Sequence, residues 1–455
     1  MKKTLLLTVA LGLAGASPLM AQTVDVYLTG STAFRSQVYS ACTKLYTTPP
    51  QIYYGNAANG GDANFNSSTA SWCMTGTPIT GLTNVQGNTL VIHGLFTGSI
   101  QGIQTVEQQV PLIFATAAGS VGGFTSAYVT NTPTIAFSDA SGTSASYPAT
   151  GNYAEENVCV QPFVMVKSKS PNPIMATINN VTWEQLEYGI PNGRIPFSVW
   201  TGNQGADNTN NFVYLIQRTS DSGTRRCETA QEYYQFTDPV GVYIYDFTNK
   251  FFFQANNTTN SLVGSYPYGV VGAAGNNNAN QNWGSGYVGG GDIKNELNYA
   301  DATNTAISYL SMNDSKGVGY SNWANVVSFN GLWPTAAGAG IHGNTGTNDY
   351  TPITTGLYPC WGNEVLVHII DPKSGGYTDQ DITKTQLGNQ TTPGSFLGVL
   401  NAQTLINGGS PIVGSIENEI DLSKSGSPGA VAIPLIDMVS SRQNVGGVIT
   451  PGPVN

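Results

Sequence analysis

The residues best suited to chemistry lie together in Gln217-Arg218-Thr219-Ser220-Asp221-Ser222-Gly223-Thr224, which holds one guanidinium, one carboxyl and four hydroxyls. Hydroxyls and backbone N–H groups donate hydrogen bonds. A guanidinium adds two parallel charge-assisted bonds, and a helix starting here adds the positive end of its dipole. That set suits a small oxyanion. Taken alone, a Ser-Gly-Thr turn is more often a plain helix cap, so the reading needs companions elsewhere in the chain.

Such a turn has to be held by a strand before it and a helix after it. Phe212-Val213-Tyr214-Leu215-Ile216 is β-branched and aromatic, as a buried strand is, and Arg225 to Glu232 can be helical. The same grammar recurs upstream. Val24 to Leu28 reads as a strand, Thr29 to Arg35 as a turn and Ser36 to Tyr46 as a helix. Leu90 to Phe96 is a strand followed by the small-residue turn Thr97-Gly98-Ser99-Ile100-Gln101-Gly102, and Pro133 to Phe137 is a strand that ends on Ser138-Asp139. Further strands are expected over Cys159–Val166, Ala306–Ser311 and Glu364–Ile370. A short helix with a Thr cap and a Gly stop is expected over Thr182–Gly189. Residues 49–85 and 275–291 are rich in Asn and Gly and read as loops. Strands alternating with helices predict parallel α/β sheets, with ligand turns at the carboxyl ends of the strands.

A chain of 455 residues exceeds one typical core, so two lobes are expected. The net charge of −10 argues against nucleic acid and against an anionic membrane surface, both of which it would repel. Met1-Lys2-Lys3 and the apolar run to Ala14 form a signal peptide over residues 1–22, cleaved after Ala21 or Gln22. The mature chain is therefore expected in a bacterial periplasm or secreted. No later run has the ~18 apolar residues of a membrane span, so no membrane insertion is expected.

In an oxidising compartment, five cysteines give two disulfides and one thiol as the default, with Cys42–Cys73 and Cys227–Cys360 the favoured pairs and Cys159 the buried thiol. There is no C-x-x-C, which argues against a metal site. His93 and His368 lie in strand runs where a satisfied core imidazole is the commoner case, and His342 lies in a Gly-rich loop. No Gly-x-Ser-x-Gly elbow or carboxylate pair marks an enzyme, so no catalytic residue and no cofactor are expected.

The ordered set of motifs resembles the periplasmic phosphate-binding proteins of phosphate-specific ABC transporters. Thr29-Gly30-Ser31-Thr32-Ala33-Phe34 resembles that family's first loop, Gly98 to Gly102 its Gly-Ser-x-x-Gly turn and Phe137-Ser138-Asp139 its strand-end aspartate. Asn180 to Gly189 is similar to its second-lobe helix, Arg218 to Thr224 to its phosphate loop and Ala306-Ile307-Ser308-Tyr309 to its late strand, with Ser308 in place of a glycine. The resemblance implies a bilobal α/β fold of the type II periplasmic binding class, with two mixed sheets and a cleft between lobes. Lobe 1 would comprise residues 23–157 and 308–455, with loop insertions, and lobe 2 residues 158–307. It implies a ligand set of Thr32, Ala33, Phe34, Ser99, Asp139, Arg218, Ser222, Gly223 and Thr224, with inorganic phosphate as ligand and an ABC permease as partner. The alternative is a surface or matrix protein that keeps the fold and uses its insertions for adhesion.

Overall fold

A computed structural model describes residues 22–55, 71–144, 153–206, 211–219, 222–231, 240–247, 249–254, 286–287, 289–315, 325–335, 350–369, 432–435, 438, 440–442 and 449–451. Residues 1–21 of the expected leader, Ser220, Asp221, His342 and most of the 275–291 loop lie outside them. Strands run over β1 (Thr23–Gly30), β2 (Gln51–Tyr54), β3 (Ser71–Gly76), β4 (Thr89–Leu95), β5 (Leu112–Ala115), β6 (Tyr128–Asn131), β7 (Ile135–Ser138) and β8 (Tyr153–Lys167). They continue with β9 (Asn180–Val181), β10 (Arg194–Pro196), β11 (Phe212–Leu215), β12 (Tyr243–Asp246), β13 (Phe251–Gln254), β14 (Ala306–Ser311), β15 (Val326–Phe329) and β16 (Trp361–Ile369). Helices include α1 (Arg35–Thr43), α2 (Ser99–Glu107), α3 (Pro173–Thr177), α4 (Trp183–Asn192), α5 (Phe197–Thr201), α6 (Gly223–Gln231), α7 (Gly290–Leu297) and α8 (Met312–Ser315).

The expected mixed α/β architecture is present, and its two sheets are continuous through one strand. The strand order is β10-β11-β14-β8-β16-β7-β1-β4-β3-β2. β8 belongs to both halves: Tyr153 to Pro162 pair with β16, and Phe163 to Lys167 pair with β14. In the first half β7, β1 and β4 are parallel neighbours, so their carboxyl ends lie side by side. In the second half β11 is parallel to β14. Each half has its own apolar cluster, Val26, Leu28, Ile92, Phe137 and Leu366 in the first and Val164, Leu215, Ile307 and Leu310 in the second.

Several boundaries differ from expectation. The change of sheet falls between Pro162 and Phe163 and the return comes with β16, while Ser308 to Ser311 and Val326 to Val327 pair with β8 in the second half. The 49–85 segment holds two strands, the edge strand β2 and its neighbour β3, where a loop was expected; Trp72 and Met74 of β3 face the core. Helix α4 does not stop at Gly189. A Cβ there would sit 3.0 Å from Ile195 Cδ1 and 3.3 Å from Leu215 Cδ2, so this glycine serves close packing. The helix ends instead at Gly193, whose φ of 68° is left-handed.

None of the five cysteines is disulfide-bonded, and all five are buried, which corrects the expected pairs. Alternation along β3 explains the first pair: Trp72 and Met74 join the cluster that holds Cys42, while Cys73 points through the opposite face toward Tyr53 and Val91. For the second pair, Cys227 Sγ is turned to the Asp139 carbonyl oxygen, to which it donates at 3.0 Å.

Candidate functional site

Three parallel strands of the first half and one of the second end at the same place. β1 runs into the Ser31–Phe34 turn and α1, β4 into Gly98 and α2, β7 directly into Asp139, and β11 into Arg218 and α6. First-turn N–H groups of a helix have no intrahelical acceptor, so α1, α2 and α6 all bring unsatisfied donors to these ends. Glycines allow the approach. Gly30 has a φ of 117° and lies so close to the Phe137 backbone that any side chain would collide. Gly102 brings α2 onto β1, where a Cβ would lie 2.7 Å from Gly30 Cα.

Asp139 is the centre of the cluster and is 1% exposed. Ser99 donates to Asp139 Oδ1, and Thr224 Oγ1 donates to Oδ2 at 3.0 Å. Arg218, 3% exposed, donates Nη2 to Thr32 Oγ1 at 3.0 Å, Nε to the Tyr287 carbonyl oxygen at 3.2 Å and Nη1 to Thr224 Oγ1 at 3.5 Å. A Cβ on Gly223 would overlap Asp139 Oδ1 and Ser99, so glycine is what lets α6 close against the first half.

Burial pushes the Asp139 carboxyl above the ordinary carboxylate value, while Ser99, Thr224 and Arg218 pull it back. Burial likewise lowers the Arg218 guanidinium, against the pull of Asp314, Asp139 and Asp292, and Arg35 lowers it further. Both shifts express the same desolvation, which an anion with a proton to share would relieve at each group.

Of the expected residues, the structure brings Thr32, Ser99, Asp139, Arg218, Gly223 and Thr224 together. Ser222 does something simpler: its Oγ accepts from Arg225 N at 3.3 Å as the cap of α6. Ala33 is buried, and the Phe34 ring enters the core 5.9 Å from Phe137 while its N–H donates to Ser31 Oγ at 3.2 Å. Ser308 donates to the Ile216 carbonyl oxygen at 2.8 Å and so ties β14 to the strand that carries Arg218, a bond that glycine could not make. His93 is hydrogen-bonded to Asp25 and Ala115 and His368 to Glu156 and Ile369, as expected of core imidazoles. Sequence reading missed Asp292, Asp314 and Glu364, acids carried by elements far along the chain.

Fold and site together define a two-sheet α/β protein in which hydroxyl, guanidinium and helix-terminal donors converge on one buried acid. No family model matches the chain, and no curated protein matches it. Among solved structures it is similar to a phosphate-binding protein from Stenotrophomonas maltophilia, at 13% identity over 91% of this chain and 90% of that one, with a TM-score of 0.37. It is also similar to an ABC-type phosphate transport receptor from Vibrio cholerae, at 11% identity over 79% and 92% with a TM-score of 0.36. A human phosphate-binding apolipoprotein shows 14% identity over 90% and 91%, also with a TM-score of 0.36. At this level of likeness, the reading of the site rests on the chain's own residues.

Proposed function

We propose that the protein binds inorganic phosphate, or a similar tetrahedral oxyanion, between the two halves of the sheet, as an exported solute-binding protein serving uptake or sensing through an ABC permease. The observation that carries this reading is the Asp139 carboxyl set among donors from both halves, Ser99 on one side and Thr224 and Arg218 on the other. Donors alone would suit any oxyanion. The acid adds selectivity, because an ionised Asp139 accepts the proton that phosphate still carries near neutral pH, whereas sulfate offers none and meets the carboxylate with repulsion. This is binding chemistry and requires no catalytic group.

The two halves act in this reading as lobes. Thr32, Ser99 and Asp139 belong to one and Arg218, Gly223 and Thr224 to the other, so an anion bonded to both favours the closed arrangement. The test is calorimetric titration of the purified mature protein with phosphate, with sulfate as competitor and Asp139→Asn beside the wild type. Wild type is expected to prefer phosphate, and the variant to lose that preference by about 1.5–3 kcal/mol, the worth of a charged hydrogen bond. Equal preference in both proteins would remove Asp139 from the site, and binding of neither anion would end the phosphate reading.

A further inference from the structure

Near Asp139 lies a second buried carboxyl, which the anion reading does not use. Val365 of β16 pairs with Ser138 of β7 in antiparallel register, so Glu364 and Asp139 each directly adjoin that pair, and the field of Asp139 reaches the Glu364 carboxyl. Glu364 is 0% exposed, and neither of its carboxyl oxygens has a hydrogen-bond partner among the described residues. The neighbouring titratable groups are Asp139 at the end of β7, Cys159 opposite Glu364 on β8 and Cys227 on α6. Both thiols are held well above their ordinary value by burial and carry no charge. The Arg442 guanidinium is committed elsewhere, donating to the Trp361 carbonyl oxygen at 2.9 Å and lying over the Trp361 ring at 4.3 Å. On the α2 side, Val365 and Val367 meet the apolar Ile100 and Ile103.

We propose that Glu364 is a positioning residue of the anion site, acting through Asp139. The two carboxyls hold one proton between them; it stays on Glu364 and leaves a single negative charge on Asp139, facing the ligand. The asymmetry follows from the partners. Asp139 has two hydroxyl donors and a nearby guanidinium to stabilise its carboxylate, and Glu364 has none. Two adjacent buried carboxyls cannot both ionise cheaply. Burial, and then the field of Asp139, push Glu364 well above the ordinary range, in the same direction. Loss of its proton at alkaline pH places a second negative charge behind Asp139 and weakens the hold on any anion.

This inference rests on the anion reading, and its test separates the two. Phosphate affinity is measured calorimetrically from neutral to alkaline pH for wild type, Glu364→Gln and Glu364→Asp. The ligand's own ionisation is common to all three and cancels in their ratios. Glu364→Gln is expected to match wild type near neutrality and to bind about tenfold tighter or more at the alkaline end, the size of one pK unit. Glu364→Asp, which can still ionise, is expected to keep the alkaline fall. A wild-type to Gln ratio constant across pH overturns the proposal, whereas a wild type that binds no phosphate at any pH overturns the anion reading along with it. Should Glu364→Gln fail to fold, infrared spectra serve instead. Because Glu228 and Glu296 are also buried and raised, the spectra are taken in a Glu228→Gln, Glu296→Gln background; a protonated-carboxyl stretch that remains there and fades in step with affinity supports the proposal, and its absence at neutral pH sinks it.

Discussion

Removing the Arg218 guanidinium would strip the cluster of its one side chain able to give two parallel charged bonds to a single anion. Arg218→Ala is expected to cost on the order of 2–5 kcal/mol of phosphate affinity by calorimetry. Arg218→Lys should also lose affinity, since an ammonium keeps the charge without the fork. Gly223→Ala tests the closeness of the halves: its Cβ would meet Asp139 Oδ1 and Ser99, so anion affinity should fall at least about tenfold and the melting temperature should fall with it, overpacking costing about 1–3 kcal/mol. At this scale much was legible. Arg218, Ser99, Asp139 and Thr224 could be picked out because each follows a strand in a small-residue turn, a local pattern. Glu364, Asp292 and Asp314 could not, because their bearing on the site comes from the register of β16 against β7 and from the placing of α7 and α8, which no local pattern encodes.

Helix α6 carries a cost of its own. Glu228, one turn beyond Thr224, is buried, which raises its carboxyl from the ordinary 4.5 to about 8, with Gln217 and Arg225 opposing the rise. A carboxyl raised on folding contributes stability that is fully present below its unfolded value and is lost as pH climbs through the folded one. The difference in thermal stability between wild type and Glu228→Gln should therefore grow in the variant's favour between about pH 4.5 and about pH 8 and level off above it, reaching a few kcal/mol. A difference independent of pH would show that Glu228 does not titrate in that window. Strand–turn–helix grammar located α1 and α6 to within a few residues, whereas α2 begins at Ser99, inside the stretch that reads as a small-residue turn. It failed where tertiary packing overrode local signals: Gly189 reads as a helix stop yet is the packing face of α4, and strands β2 and β3 sit among Asn and Gly that read as loop.

For the whole molecule, composition and the order of motifs indicated two halves, but not the strand that joins them. β8 reads as an eight-residue apolar run in its second half; its extension to fifteen residues depends on β16, which is about 200 residues away in sequence. The cysteine arithmetic failed for a similar reason, since pairing is decided by which face of the sheet a residue occupies. Unfolding the purified chain in denaturant without reductant should expose five titratable thiols with a colorimetric reagent, and a count of one would restore the two expected bridges. The place of β16 between β7 and β8 also bears on synthesis. Those two strands are successive in the chain yet never meet, so a nascent polypeptide halted before residue 361 lacks the middle of its first sheet. Completion of that sheet must wait for a segment made late, which keeps the growing chain open for longer than its length alone would require.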